Sequence, residues 1–206
     1  MLNTATAAVL ALSTVAPVHR VADPPLHVDL VSAVGSGCRG AFVGVAADNR
    51  SFEIGFGDFV ALVDGHRPVD RKSCRLGLRI VLPAGYTYGI AGATYRGYVD
   101  LRPGAAASHR AKHHIQGGIG LGGVESRFAG PRVEEWQADY APDLPMIVYA
   151  PCGERRDLIV DSELRAALGT SNPATPSGIA ADTVADRPGH MVFRLATKAC
   201  RVIEAS

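Results

Sequence analysis

The chain predicts an all-β fold, an antiparallel β-sandwich stabilised by two disulfides, and three observations carry that reading. Apolar residues recur at every second position in several short runs, most clearly Cys74, Leu76, Leu78, Ile80 and Leu82, which is the period of a half-buried strand. Turn formers are abundant, with 23 Gly and 13 Pro among 206 residues, as many short strands joined by tight turns require. Four cysteines, Cys38, Cys74, Cys152 and Cys200, are spread along the chain without a C-x-x-C pair. That spacing suits disulfides in an oxidising compartment better than a zinc site or a redox motif.

In chain order, the runs read as strands are 28–34, 41–47, 51–56, 59–63, 74–82, 90–101, 146–150 and 191–202. Turn signals separate them at Asp48-Asn49, Asp64-Gly65, Pro83-Ala84-Gly85, Pro103-Gly104 and Asn172-Pro173. Two segments admit a helix as well. Residues 161–169 open on a capping Asp161 and close on Gly169, yet Leu158, Val160, Ser162, Leu164, Ala166 and Leu168 alternate with polar neighbours, which favours a strand. Residues 105–114 suit a helix by propensity. The stretch 169–189 contains Pro173, Pro176 and Pro188 and reads as a surface loop.

Residues 5–18 are almost all Ala, Val, Leu, Thr and Ser, about the length of a secretory h-region and too short to span a bilayer. Residues 1–22 accordingly read as a signal peptide or leader remnant, and 23–206 as a single β-sandwich domain. The leader is atypical, because no Lys or Arg precedes the apolar run and the site after Thr14-Val15-Ala16 is occupied by Pro17. No other stretch approaches the roughly eighteen apolar residues of a membrane span. Lys and Arg number 21 against 20 Asp and Glu, a balance that argues against nucleic acid as the main partner.

Four cysteines allow three pairings, and the sequence alone does not choose among them. The sequential arrangement, Cys38 with Cys74 and Cys152 with Cys200, is the expectation. His109 and His113 have the i, i+4 spacing of helical metal ligands, but Arg110 stands where a metalloprotease motif holds its glutamate. On a strand the two would lie about 13 Å apart, too far to share an ion. The run Gly117 to Gly123 lacks the ending of a phosphate loop and reads as a hairpin. Glu154, Asp157, Asp161 and Glu163 could supply a glycosidase pair, yet Arg155, Arg156 and Arg165 interleave with them and point to surface ion pairs. No catalytic, cofactor-binding or metal residue is assigned.

Tyrosines offer a non-catalytic surface. Tyr86, Tyr88 and Tyr98 share strand parity while Tyr95 points the other way, and an exposed row of phenols can stack on sugars or line a protein interface. Trp136 reads as a packing anchor. Asn49-Arg50-Ser51 is an N-x-S sequon in a turn, which makes Asn49 a candidate glycosylation site in a secreted eukaryotic protein.

Several blocks, taken in order, resemble the secreted family catalogued as domain of unknown function 4360. They are 70–74, Leu82-Pro83-Ala84-Gly85-Tyr86-Thr87-Tyr88, 95–98, 128–131, and Pro151-Cys152-Gly153-Glu154-Arg155-Arg156 through Arg165. The resemblance runs from about Leu26 to Cys200 and implies a secreted β-rich protein with two bridges and strands at both ambiguous segments. It implies no activity. The expectation is an extracellular, non-enzymatic protein without a cofactor that binds a cell-wall polysaccharide or a protein partner. The alternatives are a secreted hydrolase using carboxylates near Glu154 to Glu163 and a protease inhibitor.

Overall fold

A computed structural model describes residues 24–181 and 189–201. The leader assigned to 1–22 lies outside the described residues. Twelve strands follow one another: β1 (His27–Val34), β2 (Phe42–Val45), β3 (Ser51–Gly55), β4 (Val60–Val63), β5 (Val69–Val81), β6 (Tyr86–Leu101), β7 (Ala106–Ile115), β8 (Ile119–Ala129), β9 (Arg132–Tyr140), β10 (Leu158–Ala167), β11 (Ser177–Ala180) and β12 (Met191–Ala199). They form a β-sandwich of two antiparallel sheets. One has the order β1-β5-β10-β7-β8, and the other has the order β2-β3-β12-β6-β11-β4 with β9 paired to β6.

The alternation in the sequence explains which side of each strand faces in. On β5, Cys74, Leu76 and Leu78 are buried while Arg75 and Arg79 face out. On β10 the inward set is Leu158, Val160, Ser162, Leu164 and Ala166, so the strand alternative holds at that segment. Residues 106–115 are a strand too, paired with β10 and β8. Between the sheets, Phe52 stacks on Phe193 with ring centroids 5.3 Å apart, and Tyr95 meets Phe193 edge-on at 6.0 Å. Such offset and edge contacts add to the large apolar area each ring buries.

Three expectations need correction. Residues 146–150 are not a strand: Leu144–Met146 form a 3-10 turn, and pairing is reduced to one bridge between Gly89 and Tyr149. Pro145 lies within that turn and Pro151 follows the segment directly, and proline at these flanking positions favours turn over ladder geometry. Conversely, β8 and β9 are long strands where the sequence pattern is faint. The inward positions of β8 include Gly122 and Ser126, and β9 fully buries only Trp136, so little apolar period marks either one. The stretch read as a plain loop from Gly169 also holds a short strand, β11, which joins β6 to β4.

The disulfides join Cys38 to Cys74 and Cys152 to Cys200, closing separations of 36 and 48 residues. Each ties a loop to a strand or strand end: Cys38 to the middle of β5, and Cys152 to the residue just past β12.

Candidate functional site

The tyrosines do not form a row. Between Arg194 opposite Gly92 and Leu195 opposite Ile90, β6 carries one extra residue, Ala91. A bulge of this kind reverses the faces beyond it. Before the bulge Tyr88 and Ile90 point into the core; after it Ala93, Tyr95 and Val99 do. Tyr88 and Tyr95 are therefore both core-facing, and Tyr98 is left half-buried on the outer side. Tyr88 is only 5% exposed, and its hydroxyl donates to the Arg156 carbonyl at 3.0 Å. Burial pushes both inward phenols above their ordinary pKa. Tyr86, at 42% exposure, is the one member of the expected trio that presents its ring freely.

The two histidines share a face of β7, as strand geometry requires, and both are completely buried. His109 Nε2 is 3.3 Å from the Ser162 hydroxyl, and His113 Nδ1 is 3.3 Å from the Tyr95 hydroxyl. His109 packs on Trp136 and His113 lies edge-on to Tyr140. The remaining ring nitrogens, His109 Nδ1 and His113 Nε2, have no hydrogen-bond partner among the described residues. Burial pushes both imidazoles down to about 4, with His114 adding a smaller push on His113, so both are neutral and act as aromatic core residues. Among the described residues, no group of three or more His, Cys, Asp or Glu side chains is placed to hold a metal ion.

The glycine run is a hairpin between β7 and β8, with Gly117, Gly118 and Gly120 at positive φ. Gly122 has a packing reason: a Cβ there would overlap the His113 and Tyr140 rings. Asn49 sits in the β2–β3 turn at φ 54°, and its side-chain oxygen accepts from the Leu26 amide at 3.3 Å.

The carboxylates suspected of catalysis face outward and are engaged. Asp161 lies directly opposite Arg75 and pairs with it at 3.5 Å, Glu163 pairs with Arg71, and Asp157 accepts from Arg79 at 3.1 Å. Glu154 pairs with Arg156 at 2.7 Å. A cross-strand ladder of opposite charges on one flat sheet face is an ordinary solvated surface, and it leaves no carboxylate pair converging on a cleft.

A cleft of about 620 Å³ does open at the end of the sandwich next to Cys152–Cys200. One wall is the end of β5 and the β5–β6 turn, Arg79 to Tyr88; the other is Ala150, Pro151 and Gly153 to Arg156. These are two of the blocks that carry the family resemblance. The walls are held rigidly. Thr87 Oγ1 donates to the Ala150 carbonyl at 2.7 Å, the Cys200 amide donates to the Gly85 carbonyl at 2.7 Å, and the disulfide ties Cys152 to Cys200. Chemically the cleft offers an exposed phenol, Tyr86, and the guanidinium groups of Arg79, Arg155 and Arg156.

The family described as "Domain of unknown function (DUF4360)" matches residues 24–200. The chain belongs to this family. A relative described as an uncharacterized secreted protein of Arthroderma benhamiae is 24% identical over 144 residues, which are 68% of this chain and 59% of that protein. The chain thus spans about 59% of the length of the curated relative it matches. A solved structure of infectious bursal disease virus, Gx strain, covers 84% of this chain and 39% of its own at 12% identity, with a TM-score of 0.18, and nothing rests on that similarity. This DUF4360 member is a secreted, disulfide-bonded β-sandwich protein. Among the described residues no helix is long and apolar enough to cross a membrane.

Proposed function

We propose that this protein is a non-enzymatic extracellular binding protein for a cell-wall polysaccharide and that the cleft beside Cys152–Cys200 is its contact surface. The observation that carries this reading is Tyr86, an exposed phenol on the wall of a cleft whose two loops are tied together by a disulfide and by backbone hydrogen bonds. A ring presented on a rigid frame stacks on a sugar face with little loss of side-chain freedom. Neither the hydrolase nor the protease-inhibitor alternative has a specific observation behind it.

The test is retention of the purified, oxidised protein on insoluble wall polysaccharides, with the supernatant analysed for released sugars. Retention without released oligosaccharide, lost in Tyr86→Ala, is the expected result. Released oligosaccharide would make the protein an enzyme and overturn the proposal.

A further inference from the structure

The charge of the cleft is unbalanced although that of the chain is not. Its lining carries Arg79, Arg155 and Arg156 against one carboxylate, Glu154, and Asp157 behind Arg79 offsets a second guanidinium, so Arg155 is the cation of the lining without a counter-charge among the described residues. Two of the guanidinium groups are held in place. Arg79 Nε and Nη2 donate to the two oxygens of Asp157 at 3.1 and 3.4 Å, which orients the group and leaves Nη1 without a partner among the described residues. Arg156 is gripped by Glu154 at 2.8 Å and by the Gln116 carbonyl at 3.4 Å, while Tyr88 holds its backbone. Arg155 is exposed and has no partner among the described residues.

We propose that the cleft recognises an anionic polysaccharide, one bearing carboxylate or sulfate groups, with Arg155 and the free edge of Arg79 meeting its charges and Tyr86 stacking on a sugar ring. The proposal deepens the polysaccharide reading above and rests on it. A neutral glycan covering Arg155 would strip water from a charge and return little, whereas a carboxylate or sulfate accepts paired hydrogen bonds from the planar guanidinium. The surface leading out of the cleft points the same way. Arg79 lies on the outer face of the five-stranded sheet, and Lys112 and Arg165 on that face have no ion-pair partner among the described residues. Asp29 and Asp161 stand opposite Arg79 and Lys112 on that face, so what a polyanion meets beyond the cleft is the excess of the cationic groups over these carboxylates.

Binding is measured with the full oxidised chain against polygalacturonate, dextran sulfate, unmodified dextran, the neutral glucan laminarin and polyglutamate. Polygalacturonate or dextran sulfate is expected to bind, the tighter of the two identifying the charged group. Affinity should fall about tenfold between about 50 mM and about 500 mM NaCl as the charges are screened. Arg155→Ala, whose exposed side chain leaves the fold intact, should weaken binding about tenfold, the loss of one charge-assisted contact. Arg155→Glu should weaken it further, and Arg155→Lys should restore part of it. Equal binding of laminarin, with no effect of salt or Arg155→Ala but loss in Tyr86→Ala, would overturn the anionic assignment and leave the polysaccharide reading standing. Equal binding of polyglutamate would show a response to charge without sugar recognition and overturn the proposal. Retention of none of the glycans would overturn both readings.

Discussion

Tyr95 on β6 and His113 on β7 are hydrogen-bonded across the two sheets, the phenol oxygen 3.3 Å from Nδ1, with neither side chain exposed. With His109 against Trp136 and Ser162, this places two uncharged imidazoles in the middle of the core.

Stability should consequently fall in mild acid. Both imidazoles are held at about 4 when folded and return to about 6.5 when the chain unfolds, so between these values the unfolded chain binds more protons. The stabilisation is complete above pH 6.5 and is lost as pH falls through that window toward 4, by roughly 3 kcal/mol for each imidazole. Denaturant unfolding from pH 7.5 to 4 measures it, and His113→Phe should flatten the slope. An unchanged slope in both His113→Phe and His109→Phe would refute the assignment.

Phe193 should be among the costliest core positions. It is fully buried and its ring meets those of Phe52, Tyr95 and His113 at 5.3, 6.0 and 5.5 Å. Phe193→Ala is expected to cost about 3–5 kcal/mol. Leu144→Ala, at a side chain 82% exposed, should stay within about 0.5 kcal/mol. Paired urea titrations decide the matter, and similar midpoints for the two variants would contradict this core.

The two bridges should differ in function though not in stability. With separations of 36 and 48 residues, loop-closure entropy assigns each about 4 kcal/mol. Replacing Cys152 and Cys200 by serine should also impair polysaccharide retention, since this bridge ties the cleft walls, while replacing Cys38 and Cys74 should leave retention intact at temperatures where both variants are folded. Non-reducing digestion checks the pairing itself, and a Cys38–Cys152 peptide would refute the topology.

Tyr86 and Tyr88, two residues apart, should separate cleanly. Tyr88→Phe removes the hydroxyl bonded to the Arg156 carbonyl and is expected to cost about 1 kcal/mol of stability. Tyr86→Ala should leave the melting temperature nearly unchanged and abolish retention. The reverse pattern in thermal melts and pull-downs would invalidate the orientation of β6.

Asp161→Asn and Glu163→Gln remove outward ion pairs, so each should cost less than about 1 kcal/mol and leave glycan retention as it was. A large loss of retention in either would move the binding surface onto the charge ladder.

Much of the fold is legible because strand period and burial are the same information. The alternation at 74–82 and at 158–168 specifies both a strand and its inner face, and period-2 patterning survives wherever one face is apolar. β8 and β9 escape because glycine, serine and alternating charge carry no such period, and Gly122 is required by the His113 and Tyr140 rings, which come from other strands. The cleft was only partly readable. Its two walls are recognisable blocks, but they lie some 65 positions apart, and tertiary contacts bring them together: the Thr87–Ala150 and Tyr88–Arg156 hydrogen bonds, the Cys200–Gly85 hydrogen bond and the Cys152–Cys200 bridge.

By itself the sequence determined the fold class, the oxidising compartment and the strands with a strong apolar face, because those follow from local composition and period. Tertiary structure alone decided that Tyr95, and not Tyr98, shares the core face with Tyr88. One unpaired residue, Ala91, reverses the two faces of β6, and a bulge of that kind is set by pairing with β12 rather than by anything in β6's own pattern. Tertiary structure also decided that the histidines are core residues and that Asp157, Asp161 and Glu163 pair with Arg79, Arg75 and Arg71, since burial and charge pairing depend on which strands lie opposite one another.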